Sequence, residues 1–171
     1  MKRIVQFFAL CTILCLSACH NQKETLFIEK DGKLYEVFDQ VSFYYPETFE
    51  ADARTFDADT IQFCKNEEFM SYSSYPDSTD NTIEEMSKLY EGQLQQMNAS
   101  DIVCYKKTLP SGNECYIYTG KYIGTGIEFK HVVYFAKDVT YVYRYQAPHD
   151  LYKEHIDVIS KYLESLTIHY E

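Results

Sequence analysis

The chain has 171 residues, with 16 Lys and Arg against 26 Asp and Glu, a formal charge of −10. Such an acidic balance argues against a nucleic-acid binder and against electrostatic adhesion to anionic lipid, since both need clustered basic side chains. The length suits one domain with a real core.

The chain opens on Met1-Lys2-Arg3, a short positive start, followed by an apolar stretch from Ile4 to Leu14 and then Leu16-Ser17-Ala18-Cys19. A charged start, an apolar middle and small residues before a cut describe an export signal. The last four residues resemble the lipobox of bacterial lipoproteins: an aliphatic residue, two small residues and a Cys. That resemblance implies a diacylglyceryl group joined to the Cys19 sulfur as a thioether, with cleavage between Ala18 and Cys19. A transmembrane anchor is the alternative, but Ile4 to Ala18 is 15 residues, short of the roughly 17–25 that span a bilayer. The expected division is a leader over 1–18, a lipidated tether over 19–24 and one domain over 25–171. The leader takes away Lys2 and Arg3 and no acid, so the formal charge falls from −10 to −12. The lipid on Cys19 would therefore be the means of membrane attachment, on the outer face of the cell membrane, or on the outer membrane of a host that has two.

In chain order, Thr25–Glu29 and Leu34–Phe38 flank Lys30-Asp31-Gly32-Lys33, and Asp-Gly between apolar runs predicts a hairpin. Val41–Tyr45 reads as a strand stopped by Pro46, and Thr60–Cys64 and Phe69–Tyr75 as two more. Pro76–Asn81 has loop composition. The period then changes. Ile83, Met86, Tyr90, Leu94 and Met97 fall on one helical stripe widened by Leu89, and Thr82 with Glu85 forms a capping box. Four β-rich runs follow, Ile102–Thr108, Glu114–Tyr122, Ile127–Phe135 and Val139–Tyr145. Their short connections predict an antiparallel meander. A last helix over Leu151–Leu166 carries the stripe Tyr152, Ile156, Ile159, Leu163 and Leu166, with Asp150 as its N-cap after Pro148. Helices segregated against an antiparallel sheet make an α+β fold.

The segment Val41-Ser42-Phe43-Tyr44-Tyr45-Pro46-Glu47-Thr48-Phe49, the order of elements and the closing helix resemble the PsbP-like superfamily over roughly residues 34–168. That fold is found in an extrinsic photosystem II subunit, a nuclear Ran-binding protein and several bacterial lipoproteins. Many relatives carry Trp where this chain has Phe49, and this chain has no Trp. The family shares no single activity, so the resemblance implies an antiparallel sheet carrying two helices and a binding-type role.

Candidate chemistry is sparse. Cys64, Cys104 and Cys115 remain in the domain, and an odd number allows at most one bridge. With the turn near Ser111 and Gly112, Cys104 falls opposite Tyr118 or Thr119 and Cys115 opposite Thr108, so these two are poor partners. Cys64 with either stays open, and buried free thiols are the favoured reading. His149, Asp150, Glu154 and His155 crowd the start of the last helix. They fit a divalent metal or, as the favoured reading, a solvated first turn whose acids suit the helix dipole. His131 alternates with Phe129 and Val133 as an inward, hydrogen-bonded histidine would. Tyr116, Tyr118 and Tyr122 share one strand face, and Tyr141, Tyr143 and Tyr145 share another. Each set is either a binding face or ordinary sheet cover, which is favoured. No P-loop, Gly-x-Ser-x-Gly or His-Glu-x-x-His motif occurs. The expectation is a non-catalytic binding or accessory domain without metal or cofactor, anchored through Cys19 and meeting an unknown protein or small-ligand partner. An unfamiliar enzyme or a structural envelope protein are the alternatives.

Overall fold

The computed structural model describes residues 28, 30–37, 40–52, 60–77 and 80–169. Cys19, the leader and the tether lie outside them. The strands are β1 (Gly32–Val37), β2 (Val41–Pro46), β3 (Glu50–Ala51), β4 (Thr60–Lys65), β5 (Glu68–Pro76), β6 (Ala99–Thr108), β7 (Glu114–Tyr122), β8 (Ile127–Phe135), β9 (Val139–Pro148) and β10 (Thr167–Ile168). The helices are α1 (Ile83–Gln96), between β5 and β6, and α2 (His149–Leu163), after β9. A seven-stranded sheet runs β3-β4-β5-β9-β8-β7-β6, and a three-stranded sheet runs β1-β2-β10. The ladders are antiparallel throughout.

The meander β6-β7-β8-β9 forms as the short turns require. The long-range pairing of β5 with β9 then joins it to the β4–β5 hairpin. That hairpin turns at Asn66, whose φ of 54° lies in the left-handed region Asn tolerates. Gly120 sits opposite Phe129 in the β7–β8 register, where a Cβ would meet the Phe129 ring at 2.7 Å. Absence of a side chain there lets the ring lie flat over the strand.

Alternation sends the two sets of tyrosines to opposite faces of the large sheet. One face carries Phe63, Met70, Tyr72, Val132, Tyr143 and Tyr145 and receives α2 and the small sheet, forming the main core. Phe43 of β2 is fully buried at its centre, 4.4 Å from Tyr143 and 5.3 Å from Tyr72 between ring centroids. Offset rings at such distances add attraction beyond the area they bury. The other face carries Tyr116, Tyr118, Phe129, Val133 and Val142 and receives Met86 and Leu94 of α1. Both tyrosine sets are thus sheet cover.

Several expectations need correction. Ile28, Lys30 and Asp31 are helical, so Asp31-Gly32 does not make the expected turn, and β1 forms its hairpin with β2; most of the expected strand over 25–29 lies outside the described residues. Helical backbone at Asp31 is incompatible with the two-residue turn that an Asp-Gly hairpin needs. Asp150 is not the N-cap: α2 begins two residues earlier than expected, at His149 behind Pro148, whose fixed φ of −53° suits a helix entry. Leu166 lies past the helix end, though fully buried. Cys104 pairs with Tyr118 as expected, but Cys115 pairs with Lys107. All three domain cysteines are free, and only Cys115 is buried; Cys64 is half-buried and Cys104 exposed. Cys104 lies on the edge strand β6, its Sγ 3.9 Å from Ser87 Oγ of α1.

Candidate functional site

The capping box anticipated at α1 is present: Glu85 N–H donates to Thr82 Oγ1 at 3.3 Å, and Thr82 N–H donates to a Glu85 carboxylate oxygen at 2.8 Å. It fixes where the helix starts, and so which side chains face the sheet. Ser87 Oγ meets Tyr118 Oη at 2.6 Å on β7, and Tyr90 Oη meets His131 Nδ1 at 2.9 Å on β8. These bonds seat α1 over β6, β7 and β8. Toward β9, β5 and β4 the same face is left partly open. Phe69 and Tyr75 on that side are exposed, as are Leu89 and Met97 at the edge of the helical stripe.

A cavity of about 470 Å³ occupies this gap, walled by Leu89, Met97, Phe135 and Tyr75 with His131 and Arg144 beneath. A second hollow of about 350 Å³ adjoins it and shares Met97 and Arg144, with Phe69, Ser71, Gln62 and Gln146 around it. Volumes of this size, with apolar walls and few polar groups, are typical of small-ligand sites. Arg144 stands where the two hollows meet. Its Nε–H donates to Ser71 Oγ at 2.7 Å across the β5–β9 pair. Gln146 is held by donation to Tyr122 Oη at 3.1 Å.

His131 is 1% exposed. Burial, with the Arg144 charge adding to it, pushes its imidazole down to about 3, because a second cation in that setting is disfavoured. Burial likewise raises the Tyr90 phenol. Both groups are neutral near pH 7, which leaves Arg144 as the cation of a cavity that Asp77 also lines. His131 is therefore the inward, hydrogen-bonded histidine its alternation implied.

The His149, Asp150, Glu154 and His155 constellation does not converge. His149 Nδ1 pairs with Glu128 of β8, while His155 Nδ1 meets Glu68 of β5 at 2.8 Å and its Nε2 lies 3.6 Å from Glu154. Among the described residues no three His, Cys, Asp or Glu side chains gather as a metal site would need. Glu68 is 2% exposed and also accepts from Tyr145 Oη at 2.7 Å. These bonds satisfy a buried acid that would otherwise be costly. Lys130, buried on β8, donates to Ser160 Oγ at 2.9 Å and meets Glu164 at 3.3 Å. Burial pulls the Lys130 amine below its ordinary value, an effect that the Glu164 carboxylate opposes.

Reading the sequence for sites overlooked Arg144. A signal was present: along Tyr141-Val142-Tyr143-Arg144-Tyr145 the arginine alternates with the tyrosines, a cation on a half-covered strand face. Cys19 lies outside the described residues.

No protein-family model matches the sequence, and no curated protein matches it significantly. Solved structures do match in shape. Cyanobacterial PsbP (CyanoP) from Synechocystis sp. PCC 6803 aligns with a TM-score of 0.62 at 10% identity, over 81% of this chain and 93% of that one. The Saccharomyces cerevisiae Ran-binding protein Mog1p aligns with a TM-score of 0.56 at 9% identity, over 80% and 95%. LpqN, involved in cell envelope biogenesis of Mycobacterium tuberculosis, aligns with a TM-score of 0.50 at 14% identity, over 84% and 95%. At such identities the likeness concerns shape alone. The chain has the PsbP/Mog1-like α+β fold.

Proposed function

We propose that this protein is a lipoprotein of the bacterial cell envelope, tethered through Cys19 on the outer face of a membrane, whose domain binds a partner without catalysing a reaction. The observation that carries the binding role is the half-covered sheet face, where an apolar groove meets Arg144. The anchoring role rests on Leu16-Ser17-Ala18-Cys19 behind a charged and apolar leader. Among the described residues no helix is long and apolar enough to cross a membrane. The likeness to LpqN agrees with an envelope setting. Two or three acyl chains, at about 0.8 kcal/mol per buried methylene, make such anchoring effectively permanent.

Feeding cells an alkyne fatty acid tests the anchor: labelling should be lost in Cys19→Ala, and unchanged labelling would contradict it. For the binding role, crosslinking in the host cell followed by mass spectrometry should give one dominant adduct on the anchored protein. A broad set of adducts that scales with neighbour abundance would favour a structural envelope role instead.

A further inference from the structure

We infer that the groove beside α1 binds an organic monoanion: a carboxylate carried on an elongated apolar body, held by the Arg144 guanidinium. The inference rests on reading this face as the binding site and names the class of ligand it takes.

Arg144 is half-buried, and its one protein hydrogen bond is the one from Nε to Ser71. No Asp or Glu forms an ion pair with it among the described residues. Lys65, Lys107 and Lys130, which are likewise half-buried or buried, each meet a carboxylate, as a cation partly withdrawn from water is stabilised by an opposite charge. The bond to Ser71 fixes the plane of the group and leaves the N–H bonds on both Nη atoms uncommitted. A planar fork of that kind matches a carboxylate through two parallel hydrogen bonds.

Asp77 lines the far end of the same cavity but forms no ion pair with Arg144. Gln146 is turned to Tyr122, and Tyr90 is turned to His131. His131 Nε2 is buried without a protein partner, which adds a polar atom but no charge to the floor. One fixed cation suits one negative charge. Phosphate recognition usually draws on several donors or a helix N-terminus as well.

The shape of the groove sets the rest of the ligand. Ser71 faces Arg144 in the β5–β9 register, Tyr75 faces Thr140, and Asp77 follows beyond the strand end. Six residues separate Ser71 from Asp77, roughly 20 Å of extended chain, and the cavity is lined by both Arg144 and Asp77. It is therefore long relative to its 470 Å³. The walls between the ends are mostly apolar, from Leu89, Leu94, Met97 and Phe135, with Asn81, Gln93 and Thr140 among them, and Met97 adapts readily to different bodies. A neutral apolar ligand would strip water from Arg144 and return nothing to it.

The test uses the full chain in lipid nanodiscs, with empty nanodiscs as reference and ligand-observed NMR as readout. The probes are 4-phenylbutyrate and its neutral isostere 4-phenylbutyramide. The acid should bind at least tenfold more tightly than the amide, as losing a charge-assisted pair implies. Arg144→Gln should erase that difference by weakening the acid alone, and Leu89→Asp should weaken both. The comparison of acid with amide on the unaltered protein needs no variant to fold. Equal binding of the two probes, absence of binding by the acid, or Arg144→Gln binding the acid as well as the parent would each overturn the inference. Equal binding would leave the groove as an apolar site and the binding role intact. Failure of that role appears separately, as crosslinking in cells without a dominant partner.

Discussion

The two faces of the large sheet are built from the same alternating strands and differ in what covers them. One lies under α2 and the small sheet, with Phe43, Tyr72 and Tyr143 interlocked and almost no exposed surface. The other lies under α1 alone, which covers β6 to β8 and leaves β5 and β9 facing an open groove. The difference is one of polarity as well as coverage. On the open side the strands present Ser71, Ser73, Thr140 and Arg144, where the closed side presents Met70, Tyr72, Tyr141 and Tyr143. A domain that keeps one face dense can leave the other incomplete, and incomplete faces are where ligands bind.

The largest effect should come from the closed face. Phe43→Ala removes a fully buried ring and is expected to lower unfolding free energy by about 3–5 kcal/mol in urea. Leu89→Ala on the open face should change it by less than about 0.5 kcal/mol; similar losses for both would erase the contrast.

Next comes pH. The His131 imidazole sits near 3 in the fold against 6.5 when exposed, so the unfolded chain takes up a proton first as pH falls. The folded state thus loses stability from pH 6.5 downward until about pH 3, with no contribution above 6.5. Between pH 7 and 5 this group should account for about 2 kcal/mol. Denaturation of His131→Phe at both pH values should show a loss smaller by that amount than in the parent. An equal loss would place the imidazole in solvent.

Loss of the α1 cap should cost less, about 1 kcal/mol for Thr82→Ala, measured by thermal unfolding. Smallest in energy, but a direct report on coverage, is thiol reactivity. Exposed Cys104 should react with a maleimide in the folded protein. Cys115, buried and with its thiol pushed up to about 12, should react only on unfolding.

Much of the fold was legible because local patterns carried it. The period change at Thr82, the capping box and the short turns of the meander are nearest-neighbour signals, and all match the structure. What stayed hidden depends on distant pairing. The β5–β9 ladder, the docking of β10 beside β2, and the sheet face each tyrosine set occupies arise only when segments some 70 to 125 residues apart meet. The Asp-Gly signal misled for a local reason: Asp31 is helical, and β1 forms its hairpin with the next strand, β2. The site was harder still. Arg144 looked like one charge in a strand, and its significance lies in the acids that do not come near it, a property of the assembled face. The histidine cluster was the reverse case: neighbours in sequence, they point to Glu68 and Glu128 on different strands.

The central claim is that the open face, and not the closed one, meets the partner. A photo-crosslinking amino acid placed at Leu89, on the rim of the groove, or at Val158, exposed on α2, compares the two in living host cells. The account predicts a dominant adduct from position 89 that is absent from position 158. The same adducts in the same proportions from both positions would contradict it.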